Sequence, residues 1–395
     1  MKRKKLSSIG RGIFLAAVIA GALLMASYAP AAASEKPIKI GALFDFTGPA
    51  ADLGPWFQEG MELALDEANH QAAGRPLKVI VEDSGTDSVV TLDKTKKLVE
   101  TDKVNVIIGP LMCDAQLAMA PYTSQHKTII MTLFNGPIEL VPYGNFIIFP
   151  TTNGAQTMSL GFYAYDKLDY RTMIVIGSDD VDGHAFMGGF SFGFEERGGK
   201  VVQTIWVSSG TMDFGPYIAS FKKDADFIGF FFPNPTEVVR LITQMRGFGV
   251  KPAILATTVE GDMPPPVLKE LGEAILGVVG QDAYISTRDD PLNKKFVAKL
   301  EAKYGYAAGA IHQNGYVLTK VLLAALEATG GDTTFDKLWP AILDVKLQTP
   351  AGPLAFSPEG VAITTNYIAQ AKIIGGRYLW EIIDVYPNVL DIRLK

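Results

Sequence analysis

Short apolar runs alternate along the chain with longer segments whose apolar residues recur every three or four positions. The run Ile38–Phe44 predicts a buried strand, and the apolar residues between Phe57 and Ala68 have the spacing of an amphipathic helix. Further strands are predicted at 77–81, 104–108 and 128–132, and further helices at 90–100 and 115–125. Continuous apolar strands are typical of a parallel sheet covered on both faces. Repeated strand–helix units therefore predict a doubly wound α/β sheet with right-handed crossovers.

The alternation begins again after a break at Pro150–Asn153. Strands are predicted at 173–177, 201–207, 227–232 and 254–257, with helices at 155–167, 186–197, 217–223 and 237–248. Helices at 292–304, 310–328 and 335–343 then precede a predicted hairpin around Gly375–Gly376. The two similar halves indicate two lobes. Polar or Gly/Pro-bearing breaks near 150–153, 281–286 and 360–366 are candidate hinges between them.

Residues 1–33 have the pattern of a cleaved export signal. A basic start precedes the apolar run Ile13–Met25, and the small residues Ala31–Ala33 suit cleavage before Ser34. The apolar run is shorter than the roughly 20 residues that a membrane-spanning helix needs. The mature protein is therefore expected in the periplasm.

Composition narrows the possible partners. Of the 395 residues, 42 are acidic and 36 basic, and five of the basic residues lie within 1–33. This acidic balance argues against nucleic acid and anionic membrane surfaces as partners. Cys113 is the only cysteine, so the fold has no disulfide framework and rests on a large core. We expect a monomer whose ligand is a small molecule.

The motifs in the sequence favour a ligand-binding protein over an enzyme. The chain has no P-loop, and its four histidines lack metal-ligand spacing. We therefore expect no enzyme activity, no cofactor and no metal. The alternative is a periplasmic hydrolase that uses Cys113 as its nucleophile. The stretch HAFMGGFSFGFEERGG lacks the strand–GxGxxG–helix order of a dinucleotide loop, so its glycines are expected to let helices pack closely or end.

Ligands of open α/β sheets bind beyond the carboxyl ends of the strands. This rule selects five loops, at 45–56, 109–114, 133–137, 178–184 and 257–262. Trp56 and Phe134 would supply apolar walls, and the acidic cluster at 179–182 would supply fixed polar groups. Such a mixed lining is usual for a small-molecule site between two lobes.

The same loops carry a resemblance to a known family. The chain resembles the branched-chain amino acid (Leu/Ile/Val) type of periplasmic solute-binding protein, the extracytoplasmic receptor of an ABC importer. The similarity covers nearly all of the chain after the signal and rests on six blocks in order: IKIGALFDFTGPAADLG, VNVIIGP, IIMTLFNGPIEL, MIVIGSDDVDG, TTVEG and GPLAFSPEG. It implies an α/β, two-lobed type I periplasmic-binding-protein fold, each lobe a mostly parallel sheet flanked by helices, with three interlobe crossings. The lobes are expected at 34–150 plus 284–363 and at 151–283 plus 364–395.

The resemblance also implies where a ligand would be held. Amino-acid binders of this family hold the ligand α-carboxylate with hydroxyl side chains, and the matching positions here are Cys113 and Gly136, with Phe134 nearby. The family's acidic residue that pairs the ligand ammonium matches Glu260 and is kept. An aromatic residue of the second lobe is replaced by Asp182.

The first-loop aromatic position of the family is Leu53 here, with Trp56 close by. The cleft is therefore expected to be apolar from the first lobe and acidic from the second, which suits a ligand with a cationic or hydrogen-donating end and an apolar or aromatic body. The predicted ligand-binding residues are Leu53, Trp56, Met112, Cys113, Asp114, Phe134, Asn135, Gly136, Asp182 and Glu260.

The resulting hypothesis is capture of an amino-acid-like, amide or aromatic solute and its delivery to a membrane permease. A ligand-sensing receptor of the same fold is the alternative that sequence does not separate from transport.

Overall fold

The computed structural model describes residues 36–394, and the predicted signal at 1–33 lies outside them. The chain from Ile38 onward forms one compact unit. No helix within residues 36–394 has the length and apolar content needed to cross a bilayer.

The first sheet has six strands in the order β2-β3-β1-β4-β5-β6. Its strands are β1 (Ile38–Phe44), β2 (Gln71–Ala72), β3 (Arg75–Asp83), β4 (Val106–Ile108), β5 (Ile129–Met131) and β6 (Phe146–Ile147). All pairs are parallel except β2 with β3. The helices between them are α1 (Leu53–Glu67), α2 (Ser88–Lys96), which continues as a π-turn at Lys97–Thr101, and α3 (Cys113–Gln125), followed by a 3₁₀ turn at Ile138–Tyr143. Strands β4 and β5 are buried along their whole length because helices cover both faces.

The second sheet has nine strands in the order β12-β13-β14-β11-β10-β9-β7-β8, with β15 paired to β14. Its strands are β7 (Thr172–Ser178), β8 (Lys200–Val207), β9 (Phe227–Phe231), β10 (Ala253–Ala256), β11 (Val279–Asp282), β12 (Leu347–Thr349), β13 (Gly352–Phe356), β14 (Ala362–Ile374) and β15 (Arg377–Val389). Strands β7 to β11 pair in parallel, and β12 to β15 add antiparallel pairs.

The remaining helices lie after the first sheet in sequence. They are α4 (Asn153–Asp166), α5 (Val181–Glu196), α6 (Gly215–Ala219), α7 (Pro235–Gly247), α8 (Val259–Asp262), α9 (Pro265–Leu271), α10 (Pro291–Tyr304), α11 (Ala310–Thr329) and α12 (Phe335–Leu343). Short 3₁₀ turns lie at Gly272–Ile275 and Ile392–Leu394.

Helix α11 returns to pack on α1. A Cβ at Gly60 would lie 1.9 Å from the carbonyl oxygen of His312, and one at Gly315 would lie 2.2 Å from that of Phe57. The chain therefore passes from the first sheet to the second after β6, back after β11, and again through β12–β14. The fold is two-lobed α/β, with two sheets flanked by helices, as predicted. The residue bounds of the lobes stay a prediction.

Helices α4 and α5 cross at backbone contact. Cβ atoms at Gly189 and Gly193 would lie 2.3 Å and 2.2 Å from the carbonyl oxygens of Gly154 and Met158. The glycine-rich stretch thus serves close helix packing, which confirms the prediction for it.

Helix α5 begins at Val181, five residues before the predicted start at Phe186. The carboxylate of Asp180 accepts a hydrogen bond from the backbone N–H of Gly183 at 2.7 Å and caps the helix. The predicted acidic loop is therefore partly a first helical turn. Asp182 belongs to that turn and is held by it.

Candidate functional site

A cavity of about 20 Å³ lies beyond the carboxyl ends of strands from both sheets. Its lining residues are Leu53, Leu111, Met112, Phe134, Asp182, Phe186, Phe231, Pro233, Asp262 and Ile311. Residues that follow β4 and β5 of the first sheet face residues that follow β7, β9 and β10 of the second. This is the position that the carboxyl-end rule predicts.

Aromatic rings from both lobes form the apolar wall of this cavity. The rings of Phe134 and Phe186 have centroids 6.2 Å apart, and those of Phe186 and Phe231 stack at 4.4 Å. A Cβ at Gly261 would lie 2.9 Å from Cζ of Phe134, so the glycine lets the ring reach the opposite lobe. The apolar surface is therefore shared by both lobes, whereas the sequence placed it on the first.

Two carboxyl groups also line the cavity, and no basic side chain does within the described lining. Burial raises the pKa of Asp182 to about 7, although a hydrogen bond from Cys113 opposes the rise. Burial likewise raises the pKa of Asp262 well above its usual value, and the charges of Asp282 and Asp182 add to the rise. The cavity thus contains negative or protonated groups without a cationic counterpart.

Asp262 is placed by a strained turn. Thr258, with φ 49°, begins helix α8 in the left-handed region that branched side chains avoid. Its hydroxyl donates to the carboxylate of Asp262. Strain of this kind is held in place by its surroundings and is concentrated at functional sites.

Glu260 lies on the same short helix and is fully buried. Its Oε1 accepts hydrogen bonds from the backbone N–H of Ser286 at 2.8 Å and from the Ser286 hydroxyl at 2.6 Å. Its Oε2 has no hydrogen-bond partner within residues 36–394. Burial raises the pKa of Glu260 to about 8, with a further rise from Asp282. One oxygen of this carboxyl group therefore remains unpaired.

Asp282, at the end of β11, fixes the start of α8. Its carboxylate accepts from the backbone N–H groups of Glu260 at 2.9 Å and Gly261 at 3.1 Å. Burial raises the pKa of Asp282 to about 7 in spite of these bonds. The acidic side of the cleft is therefore a group of four buried carboxyls.

The structure brings four of the ten predicted residues into the cavity wall, namely Leu53, Met112, Phe134 and Asp182. Glu260 lies on α8, two positions before the wall residue Asp262. Trp56 stacks on His312 at 5.7 Å instead of lining the cavity. Roles of these residues in ligand binding stay a prediction.

Three other predicted residues make contacts of their own around the cleft. Asp114 accepts a hydrogen bond from the Ser88 hydroxyl at 2.9 Å. Asn135 donates from Nδ2 to the carbonyl oxygen of Thr151 at 3.0 Å, and a Cβ at Gly136 would lie 3.0 Å from Oε1 of Gln116. Asn135 and Gly136 therefore shape the turn after β5 without reaching the described cavity wall.

Cys113 is fully buried at the start of α3. Its Sγ lies 3.5 Å from Oδ1 of Asn153. Burial raises the pKa of the thiol well above its usual value, and the nearby charge of Asp182 adds to the rise. A reactive cysteine requires a lowered pKa and some exposure, so the surroundings of Cys113 do not favour the hydrolase alternative.

Sequence reasoning missed six wall residues: Leu111, Phe186, Phe231, Pro233, Asp262 and Ile311. Leu111 and Asp262 lay within selected loops and were not singled out. The carboxyl-end rule, applied also to the strand predicted at 227–232, points to Pro233, and Phe231 is the last residue of the observed strand β9. Phe186 and Ile311 lie in helices, and only the three-dimensional packing brings them to the cavity.

A group of three potential metal ligands lies elsewhere, at the C-terminal end of α1 and just after it. Donor atoms of Glu62, Asp66 and His70 come within 4.8 Å of one another. Lys303 forms an ion pair with Asp66 at 2.6 Å. This group therefore already has a cationic side chain as partner.

Comparison with known proteins identifies the family. A model of the periplasmic binding protein family matches residues 37–377. The protein described as "Leu/Ile/Val-binding protein homolog 6" of Brucella suis biovar 1 (strain 1330) is 25% identical over 382 residues, which are 95% of this chain and 98% of that protein.

Two solved structures share the fold. An ABC transporter substrate-binding protein from Sphaerobacter thermophilus has a TM-score of 0.85 at 28% identity and covers 90% of this chain and 99% of its own. A solute binding protein of an ABC transporter from Rhodopseudomonas palustris BisB5, in complex with 3,4-dihydroxy benzoic acid, has a TM-score of 0.85 at 24% identity. The match covers 91% of this chain and 99% of that one. With the two-lobed architecture, these matches show that the chain belongs to the periplasmic binding protein family and has the type I periplasmic-binding-protein fold.

Proposed function

We propose that the protein captures a small solute with an apolar or aromatic body and a cationic or hydrogen-donating end, and delivers it to the permease of an ABC importer. The observation that carries this proposal is the cavity wall, in which aromatic rings from both lobes surround Asp182 and Asp262 without a basic residue in the described lining. Rings provide apolar contact area, and buried carboxyls are stabilised by a donor or a positive charge.

The relatives support the apolar body of the solute. One carries a name for binding Leu, Ile and Val, and another was solved with an aromatic acid. The head group of the solute is proposed from this chain's own carboxyls, Asp182, Glu260 and Asp262. Export to the periplasm through residues 1–33 belongs to the same proposal.

A thermal-shift screen tests the proposal. The panel contains amines and amides with leucine-like or phenyl bodies, free branched-chain amino acids, benzoate and 4-hydroxybenzoate, with glucose as a control. A ligand that binds only the folded chain stabilises it by about 2.7 kcal/mol at a concentration 100 times its dissociation constant. We expect a melting temperature several degrees higher with at least one amine or amide. No shift with any of these classes would contradict the proposal.

Delivery to a permease is tested in cells. Uptake of the labelled solute found in the screen is expected to fall when the gene for this chain is deleted and to return when it is restored. Unchanged uptake would leave capture intact and remove the transport role.

A further inference from the structure

Helix α3 begins in the cleft without a side-chain cap. Met112 precedes the helix in extended conformation, and its side chain has no capping hydrogen bond. The first N–H groups of a helix have no partner within the helix, and the helix dipole favours a negative group there. The start of this 13-residue helix therefore needs an acceptor from outside the helix.

The acceptor comes from the opposite lobe. Oδ2 of Asp182, in the first turn of α5, accepts the backbone N–H of Cys113 at 3.1 Å. Two later N–H groups are satisfied locally: that of Ala115 by Oδ1 of Asp114 at 2.8 Å, and that of Gln116 by the carbonyl oxygen of Met112 at 3.0 Å. A carboxylate thus occupies the start of the helix, and it belongs to the protein itself.

A second donor lies in the same corner. Asn153, 1% exposed, contacts Sγ of Cys113 through Oδ1. Its Nδ2 has no hydrogen-bond partner in the described part of the chain. A buried amide donor beside a helix start suits a carboxylate oxygen. Two independent features of this corner therefore favour a negative group.

Asp182 also borders the space that a solute would enter. It is 6% exposed and lines the cavity between the lobes together with Asp262. A solute carboxylate at the same N–H would have to displace the Asp182 oxygen. It would also add a negative charge beside Asp262 and Asp114, with no basic side chain in the described wall.

We propose that Asp182 determines specificity by filling the carboxylate position of the cleft with its own side chain, so that the protein selects amines and amides over the corresponding free acids. This inference rests on the proposed function, because it concerns the head group of the captured solute. It identifies the substrate class as solutes that have an apolar body and a donating head and lack a carboxylate at that end.

Calorimetry with matched probes tests the inference. The probes are L-phenylalaninamide against L-phenylalanine, and L-leucinamide against L-leucine. Each is titrated into the wild type and into Asp182→Ala, which clears the position. The wild type is expected to bind the amide at least tenfold more tightly than the acid of at least one pair. Asp182→Ala is expected to bind that acid at least tenfold more tightly than the wild type does.

Two further variants test whether the preference comes from the Asp182 side chain occupying the position, from its charge, or from a general change in the loop. Asp182→Asn keeps an oxygen that can accept the Cys113 N–H, so it is expected to gain less acid affinity than Asp182→Ala. Asp179→Ala removes a carboxylate from the exposed part of the same loop, where it contacts His184 at 2.9 Å, and is expected to leave the preference unchanged.

The outcomes distinguish this inference from the function on which it rests. If the wild type binds an amide but Asp182→Ala gains no acid affinity, the inference is wrong and the proposed capture stands. If the wild type binds the acid as tightly as the amide, the inference is likewise wrong and the proposed capture stands. This outcome is measured on the wild type alone, so it does not depend on whether a variant folds. If neither protein binds any probe, the inference and the amine or amide head group both fail.

Discussion

At the scale of single residues, Glu260 has two oxygens in very different surroundings. Oε1 is held by Ser286, whereas Oε2 has no partner within residues 36–394. Sequence resemblance pointed to this residue because the VEG block is preserved. Resemblance did not reveal Asp262 two positions later, because its placement depends on the left-handed turn at Thr258.

Replacing Glu260 with glutamine is expected to weaken binding of an amine-bearing solute by roughly 30-fold or more, because an amide cannot ionise to become the charged partner of the solute's ammonium group. The variant keeps the acceptor oxygen for Ser286, so the fold is expected to persist. Titration calorimetry with the amine found in the screen measures the loss. Glu301→Gln, on the exposed face of α10, is the control, and equal affinity of both variants would exclude Glu260 from the site.

Cys113 offers a probe of the closed cleft. Because the thiol is fully buried and its pKa is raised, native protein is expected to react with a thiol-reactive disulfide at least roughly 100-fold more slowly than protein unfolded in urea. Absorbance of the released thiol follows the rate. Fast labelling of the native protein would instead favour the hydrolase hypothesis.

At the scale of elements, predictability depends on length and on burial pattern. The strand at Ile38–Phe44 and the helix at Phe335–Leu343 were predicted with the observed bounds, since their apolar patterns are long enough to be read. The four-residue elements α8 and β11 were not predicted. Short segments like these take their conformation from neighbours such as Asp282, which a local pattern does not contain.

The contact between α4 and α5 leads to a prediction about two glycines of one helix. Gly193→Ala is expected to lower the free energy of unfolding by roughly 1–3 kcal/mol, because the added Cβ would lie 2.2 Å from the Met158 carbonyl oxygen. Gly188→Ala is the matched control, since a Cβ there meets nothing within 4 Å. The free energy of unfolding of this control is expected to rise by up to about 1 kcal/mol, because alanine has the higher helix propensity.

Urea unfolding monitored by circular dichroism measures both variants. Equal stability of the two would mean that the helices tolerate separation at Gly193, contrary to the packing described above.

At the scale of the whole molecule, the buried carboxyls of the cleft make stability depend on pH. The pKa values of Asp182, Asp282 and Glu260 are raised to about 7, about 7 and about 8 by burial. The folded chain therefore binds more protons than the unfolded chain between about pH 4 and pH 8. Stability contributed by these protonated groups is present below the unfolded pKa values and is lost as the pH rises through the folded ones.

The melting temperature is accordingly expected to be higher at pH 5 than at pH 8 in the same salt. Calorimetric scans at four pH values across this range check the slope. The variant Glu260→Gln is expected to flatten the upper part of the curve, since its side chain does not titrate. A melting temperature that rises steadily from pH 5 to pH 8 would contradict the assignment of these carboxyls as buried in solution.

The small volume of the cavity has a further consequence for affinity. At about 20 Å³ the cavity has room for little more than one water molecule, so the walls around Phe134 and Asp182 must separate before a solute enters. The contacts that close the cleft, including Asp182 with Cys113 and Phe134 with Gly261, thus compete with the solute for the same surfaces. The apparent dissociation constant equals the intrinsic one divided by the fraction of molecules that are open. The equilibrium between the closed and open forms of the unliganded protein therefore helps to set the solute concentration at which binding becomes appreciable.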